Sequence, residues 1–205
     1  MYFTRTPDFI KPFFKDLIWN YDRTDKVIYL TFDDGPKPEV TSWVLEQLKE
    51  FDAKATFFCV GANIHKYSDL FQEVIDQGHG IGNHTFNHLN GWNTDKKVYL
   101  SNVKKCQNLT NSAFFRPPYG KITKAQTAAL KDKYSIIMWD VLSGDFDPET
   151  SKETCLNNVL KNTREGSVVV FHDSVKAFDT LRYVLPLTLE YFSEKGYEFR
   201  ALPQD

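Results

Sequence analysis

Long apolar runs are missing from this sequence. Nowhere does it reach the ~20 consecutive apolar residues that a membrane-spanning helix needs, so no transmembrane segment is expected. The stretch from Met1 to Asp16 has no uninterrupted apolar core and no small-residue cleavage site, and it does not read as a signal peptide. Location is therefore left open. Cysteine is scarce: Cys59, Cys106 and Cys155 lie far apart and form no CxxC pair. That excludes a disulfide framework or a cysteine-built zinc site, and the three read as reduced, mostly buried thiols. Basic tracts are missing too. Lys and Arg total 25 against 27 Asp and Glu, for a net charge of −2, so nucleic acid is not an expected partner. Repeats, low-complexity tracts and Ser/Gly/Pro linkers are absent, which favours a single domain over the 205 residues.

Aromatics, by contrast, are plentiful, with seventeen Phe, ten Tyr and four Trp. Many concentrate in residues 1–25, which we read as an extension packing on a main domain at 26–205. Within it, Phe9 to Trp19 is expected to form an aromatic lid over one end of the core. An interfacial membrane anchor is the lesser reading, because the moderate charge offers little attraction to anionic lipid. From residue 26 onward, short β-rich runs alternate with helical periods. The strands are expected at Val27–Phe32, Ala55–Val60, His79–Asn83, Phe114–Arg116, Tyr134–Trp139, Val168–Phe171 and Tyr197–Ala201. The helices fall near Glu39–Glu50, Leu70–Asp76, Asp95–Leu109, Lys124–Leu130, Lys152–Leu160 and Thr180–Lys195. Thr94 and Ser151 suit N-caps, Gly78 and Gly196 suit C-terminal caps, and Pro186 should kink or split the last helix. Seven strands alternating with helices argue for a parallel α/β sheet, either doubly wound or closed as a barrel.

Polar clusters follow five of these strands: Asp33-Asp34, His84, Arg116 to Gly120, Asp140 to Asp147, and His172-Asp173. In β/α barrels the C-terminal strand ends carry the active site. Asp33 and Asp34 stop an apolar strand and precede a Gly35-Pro36 turn, which can aim both acids at one place. Two crowded carboxylates call for a cation nearby. His84 and His88 are spaced HxxxH. A helical turn there would put both imidazoles on one face, where they could hold one metal. Two histidines and one aspartate make three protein ligands with positions left open, the pattern of a catalytic zinc or a similar divalent metal. Either aspartate could ligate, leaving the other as a base. Pro117-Pro118 stiffen the backbone after Arg116, whose guanidinium would keep a free aspartate ionised. His172 ends a buried strand and supplies an independent imidazole. His65 and His79 adjoin no polar cluster and read as structural. This set suits hydrolysis of an acyl bond with a poor leaving group, since amine departure needs a second acid.

In this order, the segments resemble the polysaccharide deacetylase family, carbohydrate esterase family four, whose domain is named after the nodulation-factor chitooligosaccharide deacetylase. Thr31-Phe-Asp-Asp-Gly-Pro, His84-Thr-Phe-Asn-His88, Arg116-Pro-Pro-Tyr-Gly, Trp139 to Asp145 and Val170-Phe-His172 are similar to its five motifs. The resemblance implies a distorted (β/α)7 barrel and metal-dependent removal of acetyl groups, mainly from N-acetylglucosamine. It implies that Asp34, His84 and His88 bind the metal, zinc first with cobalt or nickel as alternatives. Asp33 would be the base, paired with Arg116. The Tyr119 backbone N–H would stabilise the oxyanion, and His172 would be the acid, tuned by Asp145. Trp139, Phe146 and Val170 would shape the acetyl pocket. Phe146 replaces a usual Trp and Val170 a usual Leu, which bears on substrate preference. The expected partner is an acetylated carbohydrate. An O-acetyl polysaccharide esterase, a catalytically silent carbohydrate-binding protein and a cyclic-amide hydrolase are the competing readings. The silent reading expects a lost ligand or acid, and none is lost here.

Overall fold

Strand β2 (Val27–Asp33) is the centre of the architecture, as its composition dictates. A continuous apolar run bounded by turns suits a parallel strand covered on both faces. Ile28, Leu30 and Phe32 are buried under the helices, whereas Tyr29, Thr31 and Asp33 alternate toward the barrel interior. The computed structural model describes residues 3–203. After a short β1 (Leu17–Ile18) and β2, the chain passes through α1 (Pro38–Glu50), β3 (Thr56–Cys59), α2 (Gly61–Lys66), α3 (Ser68–Asp76) and β4 (Gly80–Asn83). It continues with α4 (Lys96–Thr110), β5 (Phe114–Phe115), α5 (Lys124–Leu130), β6 (Ser135–Ile137) and β7 (Val141–Leu142). The last elements are α6 (Lys152–Asn162), β8 (Val168–His172), α7 (Phe178–Glu194) and β9 (Glu198–Phe199).

The strands pair in the order β1-β6-β5-β4-β3-β2-β8-β7, with β9 also on β2, and every ladder is parallel. The result is the expected α/β fold, a curled parallel sheet forming a distorted, incompletely closed barrel with helices outside. The largest apolar cluster lies between the sheet and α1, α6 and α7, and a second lies inside the barrel around Phe58, Phe114 and Ile137.

The N-terminal segment behaves differently from the expected lid. Phe9 and Phe13 are 74% and 83% exposed. What the segment contributes is a strand and a seam: Leu17 and Ile18 pair with β6, Asn20 bridges Ser167, and Arg5 bridges Val141. A clamp reinforces the seam. The fully buried Asp140 carboxylate receives Lys11 Nζ at 2.7 Å, Arg23 at 3.0 Å and Ser167 Oγ at 2.7 Å. Asp140 therefore sits beside the start of β8, away from the rim where sequence reasoning put it. The two-residue strand β7 intervenes and carries the chain onward to Asp145.

Other differences are local. Asp95 caps α4, because the Thr94 hydroxyl donates to the Asn90 carbonyl. Helix α7 runs unbroken through Pro186, whose lost hydrogen bond is offset by the buried Leu181, Val184, Leu185, Leu189 and Phe192. Strands β1 and β7 and helix α2 are too short to show a period. The three cysteines are free and buried, as expected.

Lys11→Met leaves Asp140 buried with Arg23 at 3.0 Å and Arg164 at 3.9 Å as its remaining cations. It is expected to cost about 2 kcal/mol, less than the ~3–5 kcal/mol of an unpaired buried charge. Urea unfolding measures this, and an unmoved midpoint would show that the clamp does not hold the seam.

Candidate active site

Register assembles the rim. Asp33 at the end of β2 lies level with Phe58 on β3 and with His172 on β8. Asp34 then turns with φ +83°, and Asn63 Nδ2 donates to its carbonyl at 2.7 Å. The next residue must be glycine, because a Cβ at Gly35 would overlap the Asp173 carboxylate. That carboxylate accepts the Gly35 N–H at 2.9 Å and the Thr41 hydroxyl at 2.6 Å. Burial pushes Asp173 up to about 8, against those bonds.

His84 and His88 meet through a loop and not through the helical turn expected from their spacing. Thr85 and His88 both have left-handed backbone, φ +59° and +56°, which no α-helix accepts. Side-chain amides hold the loop: Asn102 Oδ1 accepts the Phe86 and Asn87 N–H groups at 2.8 and 2.9 Å, and Asn83 Oδ1 accepts Thr85 N–H at 2.9 Å.

Asp34 Oδ1 lies 3.0 Å from His88 Nε2 and 3.8 Å from His84 Nε2, and the three donor atoms sit within 4.8 Å of one another. His84 Nδ1 is 2.8 Å from the Arg116 carbonyl, which can only accept, so that nitrogen carries the proton and Nε2 turns its lone pair to the cluster. Burial drives His84 down to about 4, which keeps it neutral. Burial alone would raise Asp34, but its bond to His88 and the surrounding imidazoles hold it below the usual carboxylate range. A neutral His84 imidazole converging with His88 on an ionised carboxylate suits a divalent metal.

Behind the cluster, Arg116 is wholly buried and donates to Asp33 Oδ1 at 2.7 Å. The other Asp33 oxygen faces His84 Nε2 at 4.0 Å. On the far wall, Asp145 binds His172 twice, at Nδ1 (2.8 Å) and at the backbone N–H (2.7 Å). Burial disfavours the imidazolium, yet Asp145, with help from Asp34 and Asp33, raises His172 to about 9.

These groups surround a cavity of about 290 Å³. Asp33, Asp34, His84, His88 and His172 form its polar part, and Trp139, Phe146, Val170 and Tyr119 line it. Arg116 and Asp145 stand one layer behind. Sequence reasoning missed Leu142, Lys121 and Lys176, which also line it. Leu142 is one residue of an unseen strand, and the lysines read as ordinary surface charge.

A parallel β/α barrel with a two-histidine, one-carboxylate cluster at the carboxyl ends of its strands defines a class of barrel with a candidate catalytic metal centre. The family model for polysaccharide deacetylase matches residues 20–134. This chain belongs to that family. It is 34% identical over 188 residues to a peptidoglycan-N-acetylglucosamine deacetylase of Bacillus cereus, covering 86% of this chain and 66% of the relative. It is 32% identical over 199 residues to the chitooligosaccharide deacetylase of Azorhizobium caulinodans, covering 86% and 92%. The chain thus spans just under two thirds of the first relative's length and nearly all of the second's. A solved structure of the Bc1960 peptidoglycan N-acetylglucosamine deacetylase superposes with a TM-score of 0.88 at 30% identity, covering 97% of this chain and 95% of that one.

The electrostatics yield a prediction for the chelator-treated protein. His172 should titrate near 9, and Asp145→Asn should bring it toward the ordinary ~6.5. Because the folded value is raised, this group stabilises the fold fully below ~6.5, and the contribution fades as pH climbs through about 9. An NMR pH titration of the imidazoles reads the value. A His172 already near its ordinary value would mean that the Asp145 contact does not form in solution.

Proposed function

We propose that this chain is a metal-dependent deacetylase that removes acetyl groups from the nitrogen of N-acetylglucosamine-type units in a polysaccharide or oligosaccharide. One observation carries the reading: the Asp34–His84–His88 cluster and the Asp145-bound His172 face a single apolar-walled cavity of about 290 Å³. The kinship with peptidoglycan and chitooligosaccharide deacetylases supports the substrate class.

Asp34, His84 and His88 would hold the metal, zinc by the donor set, with cobalt or nickel as alternatives. When bound there, such an ion supplies a Lewis acid that polarises the acetyl carbonyl and acidifies water. The remaining chemistry belongs to the chain. Arg116 donates to one Asp33 oxygen and aims the carboxylate, leaving the other to take a proton from the attacking water. Asp145 accepts the His172 Nδ1–H and favours the imidazolium, whose Nε2–H would face the cavity and can protonate the departing amine. The Tyr119 backbone N–H is proposed as the oxyanion donor, on a residue whose φ of +60° turns the chain at the cavity wall. Trp139, Leu142, Phe146 and Val170 would pack the acetyl methyl and exclude water. A separate, positioned acid favours amide over ester hydrolysis, because only amine departure requires protonation. Acetate release from N-acetylglucosamine oligomers of several lengths, with and without added zinc, tests the proposal directly. No release under any metal would overturn it.

The twin aspartates are separable. Asp33→Asn keeps shape but cannot accept a proton, so metal content should persist while turnover collapses by ~10²–10⁴-fold. Asp34→Asn should lose metal affinity first and regain part of its activity at high metal. Elemental analysis across a metal titration reads both variants, and the opposite pattern would reverse the two roles.

The acid is tested by leaving group. His172→Ala should slow amide hydrolysis by ~10²–10⁴-fold and spare an activated acetyl ester, whose leaving group departs unprotonated. Equal losses on both substrates would remove His172 from that role.

A further inference from the structure

Two lysines line the cavity mouth, and the hydrolysis proposed above uses neither. Lys121 lies on the Tyr119 side and Lys176 on the His172 side. Among the described residues, neither meets a carboxylate at ion-pair distance, whereas Lys11, Lys131 and Lys152 are paired with Asp140, Asp16 and Asp179. Each ammonium instead lies over an aromatic ring. Lys121 Nζ is 5.4 Å from the centre of Trp92, and Lys176 Nζ is 5.7 Å from the centre of Phe146.

Both rings are themselves fixed. Trp92, 64% exposed, donates its Nε1–H to the Ile122 carbonyl at 3.2 Å. Phe146 packs edge-on against His172, with ring centres 5.0 Å apart. The two cations are therefore held where a glycan entering the cavity would extend, at little further entropy cost on pairing. Lys176 also borders a neighbouring cavity lined by Asp147, Glu153 and the Lys152–Asp179 ion pair, whose carboxylates disfavour an anion there, so the active-site side is the more favourable approach. A neutral N-acetylated sugar offers these ammonium groups only uncharged oxygens. A carboxylate offers a charge-assisted hydrogen bond and offsets the repulsion that Asp33 and Asp34 would otherwise exert on an anionic chain.

We propose that Lys121 and Lys176 select the substrate: a glycan carrying carboxylates beside its N-acetylated sugar, taken in preference to a neutral one. This rests on the deacetylase reading. An exposed ion pair supplies at most about fivefold in affinity, so the two lysines together set a preference of roughly five- to twentyfold.

Calorimetric titration of the chelator-treated protein, in which nothing turns over, tests the assignment. One N-acetylglucosamine-containing oligomer with free carboxylates is compared with the same oligomer after methyl-amidation, which keeps the shape and removes the charge. The free acid should bind at least about fivefold tighter at low ionic strength, and high salt should shrink the advantage. The Lys121→Gln/Lys176→Gln double variant should lose the preference. Equal binding of both oligomers by the unaltered protein, or a preference that survives both substitutions, overturns the assignment. Absence of acetate release from either oligomer with zinc added would overturn the proposed activity and leave a measured binding preference standing.

Discussion

Inside the barrel, the Arg116 guanidinium has no contact with solvent and makes four hydrogen bonds: to Thr31 Oγ1, Asp33 Oδ1 and the carbonyls of Ile137 and Met138. Its carbon lies 4.0 Å from the centre of the Phe58 ring. Burying a charge is costly unless it is paired and its donors are met; here the charge is paired with Asp33 and every guanidinium nitrogen donates at least once. The consequence is positional. Arg116 ties β2 to the end of β6 and the residue after it, and its own carbonyl fixes the His84 ring, so a single residue sets both the aspartate and one imidazole of the cluster. The alternation of β2 is what makes this possible, since Thr31 and Asp33 face inward while Leu30 and Phe32 pack under the helices.

Around that pair the rim is built from strained but over-determined backbone. Asp34, Thr85, His88 and Tyr119 all have positive φ, and all lie at or beside the cluster. Such residues cost roughly 1–3 kcal/mol each and persist only where neighbours leave no alternative. The neighbours are identifiable: Asn63 on the Asp34 carbonyl, Asn83 and Asn102 on the His84–His88 loop, and Asp173 on Gly35. The site thus depends on side-chain amides and one buried carboxylate as much as on the residues facing the cavity.

This division explains what the sequence revealed. Contiguous motifs at strand ends were legible, because β-rich runs announce the strands and the rim chemistry follows each one directly. All eleven expected site residues converge, with nine lining the cavity and Arg116 and Asp145 just behind. What stayed hidden has no periodic signal. The HxxxH spacing suggested a helix, whereas Thr85 and His88 require left-handed backbone stabilised by an asparagine fourteen residues beyond His88. Strands β1 and β7 span two residues each, so Asp140 appeared to belong to the rim. The Phe-rich segment suggested a lid, since aromatic content says nothing about which way a ring points.

The pairing of β1 with β6 joins Ile18 to Ile137, across more than half the chain. Synthesised at ~5–20 residues per second, the N-terminal strand waits roughly 6–25 seconds for its partner to emerge, while β2 and β3 can pair almost at once. Among the described strands, β1 therefore waits longest for a first partner. Until then its unpaired edge lies open to solvent, beside the rings of Phe9 and Phe13, which stay exposed even in the folded chain.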